Sequence, residues 1–436
     1  MFRANSIRGT LTQPTMQKIT RILTRGNVLR WSFYDWANSA FATTVMAGFF
    51  PIFFKQYWSI GTDAATSTFR LGVANSLASF ILAAFAPLLG AVADRGGKRL
   101  RFLLAFTVLG VVGSAGLYWV QEGYWQQAVI WYVAANIGFW GGIIFYDSLL
   151  IDVADEANYD LVSGFGYAMG YLGGGLLFAV NVWMTLKPAT FGLANAAQAV
   201  QMSFVTVAIW WAVFALPLLF GVKEKVASTP LPMRQALRAG FSELRRTFHE
   251  IRRYRALLWF LLAYWLYIDG VNTVMKMAVD YGLALGFPTN SLIVALLIVQ
   301  FVGFPAAIVF GWLGNRYNTL AGIFIGLAVY AGVTVFAVFM KDVKQFYYMA
   351  IAIGMVQGAV QSLSRSYFGS LIPKDRAGEF FGFYNMMGKF ASVLGPALMG
   401  VSALMVGTRN SILSLVVLFV VGGALLLRAR RAAATT

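Results

Sequence analysis

Residues 32–54 read SFYDWANSAFATTVMAGFFPIFF, an apolar run long enough to cross a bilayer that nevertheless carries Asp35. A hydrocarbon core is crossed by about 20 residues of helix. A charge at its centre costs at least about 2.5 kcal/mol on insertion scales. Asp35 therefore needs a wet cavity or a counter-charge. Asn38, Ser39 and Thr43 follow it at i+3, i+4 and i+8, on the same helical face.

The rest of the chain belongs to the same physical class. Of 436 residues, 59% are hydrophobic and 12% charged, with a mean hydropathy of +0.68. Soluble domains are about half apolar and about one-quarter charged, so the composition predicts an all-α membrane protein. Twelve spans are expected, at roughly 30–56, 70–92, 100–120, 127–150, 163–184, 198–221, 256–282, 289–312, 317–340, 346–369, 379–404 and 409–428. With both termini on one side, that side receives 26 of the 34 Lys and Arg, counting three around the end of span ten; the other side receives Lys55, Arg70, Lys187, Lys341, Lys344 and Arg409. This bias puts both termini in the cytoplasm.

The chain divides into a basic cytoplasmic arm (1–27), six spans (28–221), a basic linker (222–255), six more spans (256–428) and a cytoplasmic tail (429–436). In the linker, Leu237, Phe241, Leu244 and Phe248 recur at helical spacing among arginines, the pattern of a helix lying on an anionic cytoplasmic leaflet. The net charge of +17 sits in short clusters beside apolar spans, which argues against a nucleic-acid partner. The acid-free, Ser/Thr-rich arm also has the look of an organellar transit peptide. An arm on a protein of the bacterial inner membrane is the reading preferred here. With no Cys and one His (His249), the chain lacks the usual metal ligands and nucleophile pairs, and no cofactor is called for.

Two patterns recur between the halves. GAVADRGGKR follows span two (Gly90, Asp94, Arg95, Gly97, Lys98, Arg99), and GWLGNRYN follows span eight, keeping Gly311 and Arg316 but with Asn315 where the first copy has Asp94. Asp35-x-x-Asn38-Ser39 in span one has its counterpart in Asp269-x-x-Asn272-Thr273 of span seven. Such repetition points to duplication.

The first loop pattern resembles the G-x-x-x-D-R-x-G-R/K-R/K signature of the major facilitator superfamily. YDWANSAFATT, YIDGVNTVMKMAVDYG, GMVQGAVQSLSRSYFGSLIP and GEFFGFYNMMGKFASVLGP resemble the branch of fungal autophagy-linked vacuolar amino-acid effluxers and their bacterial relatives. The resemblance covers residues 28–428. It implies the major-facilitator fold: twelve transmembrane helices in two pseudo-symmetric six-helix bundles, with helices 1, 4, 7 and 10 lining the pathway. It further implies amino-acid efflux, and a latch role for the loop residues Gly90, Asp94, Arg95, Gly97, Lys98 and Arg99, weaker in the copy at Asn315 and Arg316.

Polar placement agrees. Spans three, six, nine and twelve carry no ionisable residue in their interiors. Span one offers Asp35 and Asn38, span four Asn136 and Asp147, and span seven Asp269, Asn272 and Lys276. Span ten offers Gln357, Gln361, Ser364 and Arg365, and span eleven Lys389. The expected site is a charged cluster of Asp35, Asp269 and Lys389 that exchanges with a zwitterionic solute or a proton. The competing role is an ion network closing the cytoplasmic side. Lys276 and Asp280, at i and i+4, are expected to pair locally. The glycine-rich GFGYAMGYLGGG of span five is read as a close-packing surface. The acidic DVADEANYD (152–160) is read as solvated or facing the basic linker.

The expected function is secondary transport of a small solute by a monomer working through alternating access, coupled to protons or another ion. Export of a lipid, drug or other amphiphile is the alternative; a membrane-embedded enzyme, a channel or a receptor fits less well.

Overall fold

The structure, a computed structural model, describes residues 16–62, 66–67, 70, 81–82, 85–94, 98–224, 235, 254–391 and 394–434. Arg95, Gly97 and the apolar positions of the linker helix fall outside the described residues, as do the side chains of Lys276 and Asp280.

Among the described residues all regular structure is helical. Ten helices are long and apolar enough to cross a membrane: Gly26–Trp58 (span one), Arg99–Trp119 (three), Trp125–Val153 (four), Glu156–Leu186 (five), Ala196–Gly221 (six), Arg255–Met275 (seven), Thr289–Arg316 (eight), Thr319–Phe339 (nine), Val343–Leu371 (ten) and Arg409–Ala434 (twelve). Span two is described at its end, Phe85–Asp94. Span eleven is described as Ala377–Phe390 and Leu394–Val406.

Local chemistry sets several ends. Asn195 and Asp342 each accept a hydrogen bond from the amide three residues on, Gln198 N at 2.9 Å and Gln345 N at 2.9 Å, which starts spans six and ten. Asn318 does the same for span nine, accepting from Leu320 N and Ala321 N. Span one is π-helical over Phe41–Phe49, a widening often found at functional sites.

Burial follows the predicted threefold pattern. In the apolar windows, 67% of residues are buried in spans one, seven and ten and 56% in span four, against 33 to 44% in spans three, six, nine and twelve. The polar spans are therefore central and the bland ones peripheral. Span eight is the exception at 22%, packing on spans five and ten while its other side stays uncovered.

Within the first half, span one lies in the glycine stripe of span five. A Cβ on Gly170 would meet Ser39 Oγ at 2.6 Å, and one on Gly174 would meet Ser39 O at 2.8 Å. The halves meet along spans five and eight and along spans two and eleven. There a Cβ on Gly164 would strike Ala307 O and Gly311 Cα, and one on Gly90 would strike the Gly378 carbonyl. These contacts lie towards the side of the chain ends, where Lys374 also pairs with Glu156 at 3.1 Å. The molecule is closed on that side.

Candidate substrate and coupling site

Arg365 is the centre of the buried charge. It is 2% exposed, near the end of span ten, and reaches across the seam into the first half. Its Nη1 donates to Asp147 Oδ1 at 3.0 Å, Nε to Ser163 Oγ at 2.9 Å and Nη2 to Ser163 O at 2.9 Å. Asp35 Oδ2 lies 3.8 Å from Nη1. The guanidinium sits over the rings of Trp31, Tyr146 and Tyr167, at 4.9, 5.4 and 4.4 Å. A planar fork with five donors suits this arrangement; an ammonium would not serve all partners at once.

The two acids are held from other sides as well. Tyr146 Oη donates to Asp35 Oδ2 at 3.0 Å, and Asn385 Nδ2 of span eleven donates to Asp147 Oδ2 at 3.2 Å. Trp31 fixes the neighbouring backbone, its Nε1 donating to Tyr146 O at 2.9 Å. One cation facing two carboxylates leaves a formal surplus of one negative charge, which a proton or a substrate ammonium can balance.

This differs from the expected cluster. Asp35 is expected beside Asp269 and Lys389, but the counter-charge it meets is Arg365. Asp269, fully buried, instead turns to span eleven: Gly395 N donates to its Oδ2 at 3.0 Å, and Thr273 Oγ1 donates to Oδ1 at 3.4 Å. A backbone amide and a hydroxyl thus help satisfy the buried carboxylate. Lys389 lies over the Trp140 ring of span four, again across the seam.

The remaining expected residues are dispersed. Asn38 and Asn136 are buried at 1% and 3% exposure, and Gln357 is buried in span ten. Asn272 is half-buried. Gln361 Nε2 approaches Met275 Sδ at 4.0 Å. The sequence does not single out Tyr146, Asn385 or Ser163, and it places Arg365 on the polar face of span ten but outside the expected charged cluster. Arg365 had a signal, since it shares a face with Gln357, Gln361 and Ser364, but it was counted among the charges anchoring the cytoplasmic side.

Asp94, at the end of span two, forms a tight inter-half contact. Asp94 accepts from Gly378 N at 3.1 Å and Glu379 N at 2.9 Å, the first amides of span eleven. Arg99, 5% exposed, lies 3.7 Å from Asp94, 2.7 Å from Asp152 and 3.9 Å from Glu224. Lys98 precedes the helix of span three. In the second copy Arg316 stacks on Trp312 and Tyr317 of its own segment, while Asn315 lines a surface cleft.

Comparison with known proteins places the fold in a family. The family description "Vacuole effluxer Atg22 like" matches residues 58–159 and 152–435. An uncharacterized MFS-type transporter, YxiO of Bacillus subtilis, is 38% identical over 90% of this chain and 92% of its own. Autophagy-related protein 22 of Saccharomyces cerevisiae is 22% identical, covering 86% of each chain. In fold, the major facilitator superfamily proton:xylose symporter XylE aligns with a TM-score of 0.66 at 14% identity, over 94% of this chain and 95% of that one. The chain therefore belongs to the Atg22-like family of major facilitator transporters, multi-pass membrane proteins that carry small solutes and are not enzymes.

Proposed function

We propose that the chain is a proton-coupled carrier working by alternating access, and that Arg365 with Asp35 and Asp147 forms its coupling centre. The observation that carries this reading is the 3.0 Å bond from Arg365 of the second half to Asp147 of the first, with Asp35 at 3.8 Å. While both acids face the guanidinium, the halves are tied. A proton on either acid, or a solute carrying its own carboxylate and ammonium, weakens the tie and lets the halves rock. Polar and ionisable groups at membrane depth commonly mark such pathways.

A small zwitterion such as an amino acid suits a site with one guanidinium and two carboxylates, and the effluxer description of the family favours outward movement. The two bundles are taken as residues 28–221 and 256–428, joined by the linker 222–255, in a monomer with both termini in the cytoplasm of a bacterial cell. The aromatic trio Trp31, Tyr146 and Tyr167 around the guanidinium favours a second reading, export of an amphiphile.

The test is counterflow in proteoliposomes with and without a pH gradient, using a panel of amino acids and amphiphilic cations. The wild type is expected to exchange at least one zwitterion faster under the gradient. Asp35→Asn and Asp147→Asn are expected to exchange without responding to it. Full gradient response in both variants would remove the coupling role.

A further inference from the structure

The second copy of the loop motif has lost its acid, yet the corresponding seam still contains one. Asp160 sits in the first turn of the α-helical part of span five, Tyr159–Leu186, which follows a short 3-10 turn at Glu156–Asn158. It is 8% exposed, although its sequence context reads as a solvated acidic loop. Its Oδ2 accepts from Thr319 Oγ1 at 2.6 Å, at the start of span nine, and its Oδ1 accepts from Ser366 Oγ of span ten. Both donors belong to the second half. Gly311 and Gly314 of the loop copy close around it, since a Cβ on Gly311 would lie 2.8 Å from Asp160 O and one on Gly314 2.9 Å from Oδ2. No cation pairs with Asp160 among the described residues, so two hydroxyls are what hold the carboxylate.

We infer that Asp160 is a second gating residue, a latch with its acid moved from the loop to the opposing span. On one seam Asp94 of the first half's loop reaches the amides that open span eleven. On the other, Asn315 stands where an acid would be, and span five supplies the carboxylate from the far side. Asn315 and Asp160 line the same cleft of about 370 Å³, so the charge has changed carrier within one contact. The latch is also wired to the coupling centre. Ser366 follows Arg365 directly in span ten, and Ser163, which Arg365 holds, lies one turn after Asp160 in span five. Two rigid helices therefore carry both contacts, and releasing Arg365 strains the bond to Asp160 in the same movement.

The inference rests on the alternating-access reading, and its test separates the two. The chain has no cysteine, so Ala307→Cys, at a fully buried seam position, gives a single reporter in the full-length protein. Its alkylation by an impermeant maleimide is followed from the side of the chain ends, in vesicles without substrate. Asp160→Ala is expected to speed alkylation about tenfold, the scale of losing hydrogen bonds to a charged group. Thr319→Val with Ser366→Ala should match it. Asn315→Asp alone should also speed alkylation, by setting two acids in one cleft, whereas Asn315→Asp added to Asp160→Ala should return it towards the wild-type rate. A merely structural loss would show no such rescue. If Asp94→Ala opens the seam while Asp160→Ala and the hydroxyl pair leave it unchanged, the second latch is refuted. If none of the three changes labelling, the rocking reading fails with it.

Discussion

At the scale of single residues, the central fact is that Arg365 serves two acids and a backbone carbonyl together. Removing it leaves Asp35 and Asp147 buried without a cation, and breaking a buried pair in this way costs about 3–5 kcal/mol. Arg365→Ala is accordingly expected to lower the thermal unfolding temperature of the detergent-purified protein markedly. Arg365→Lys keeps the charge but loses the fork, so its unfolding temperature should fall less while solute exchange drops about tenfold or more. A lysine variant with wild-type exchange would show that charge alone suffices. Asp35 was conspicuous in the sequence because hydropathy makes a lone carboxylate stand out. Its counter-charge was not, because Arg365 lies nine residues before Lys374 in the chain and shares with Lys374 and Arg376 the basic signature expected at a span end. Asp160 was misread for the same reason: neighbours Asp155 and Glu156 are exposed and acidic, and nothing local distinguishes the one that turns inward.

At the scale of helices, small residues decide where backbones touch. Gly90 faces the Gly378 carbonyl so closely that any Cβ must push spans two and eleven apart, and backbone cannot yield as a side chain does. Gly90→Ala should therefore loosen the seam and impair transport. Gly26→Ala, in open space at the start of span one, should be neutral or stabilising by about 0.4–1 kcal/mol. Thermal unfolding and exchange assays on the two variants test the contrast. Helix starts are a separate matter. Asn195→Ala removes the cap of span six and should cost about 1 kcal/mol with exchange intact, because the cap lies away from the charge cluster. The glycine run of span five was legible as a packing surface. That it receives span one inside the same half, through Gly170 and Gly174, was not, since a stripe of glycines does not name its partner.

At the scale of the whole molecule, the seam is shut on the side of the chain ends, and the proposed alternating access requires it to part. Lys374 and Glu156 face one another across it at 3.1 Å while more than half exposed, so losing their ion pair should matter little to stability. Replacing both with cysteine in this cysteine-free chain and joining them with a reducible bis-maleimide should stop exchange, and reducing the cross-linker should release it. Undiminished exchange by the cross-linked form would mean that the halves do not separate there.

What the amino-acid order determined by itself was everything that depends on local free energy: which stretches prefer hydrocarbon, which ends prefer positive charge, which helical faces are polar, and which motifs recur between the halves. Those quantities are sums over neighbours in the chain, so they survive without coordinates. Which acid meets which base was decided only by tertiary structure. Arg365 and Asp147 are 218 residues apart, and their meeting depends on how span ten docks against spans four and five. Helical periodicity gives a direction around one axis, whereas a salt bridge needs the relative height and rotation of two, and these are set by the glycine contacts of the whole bundle.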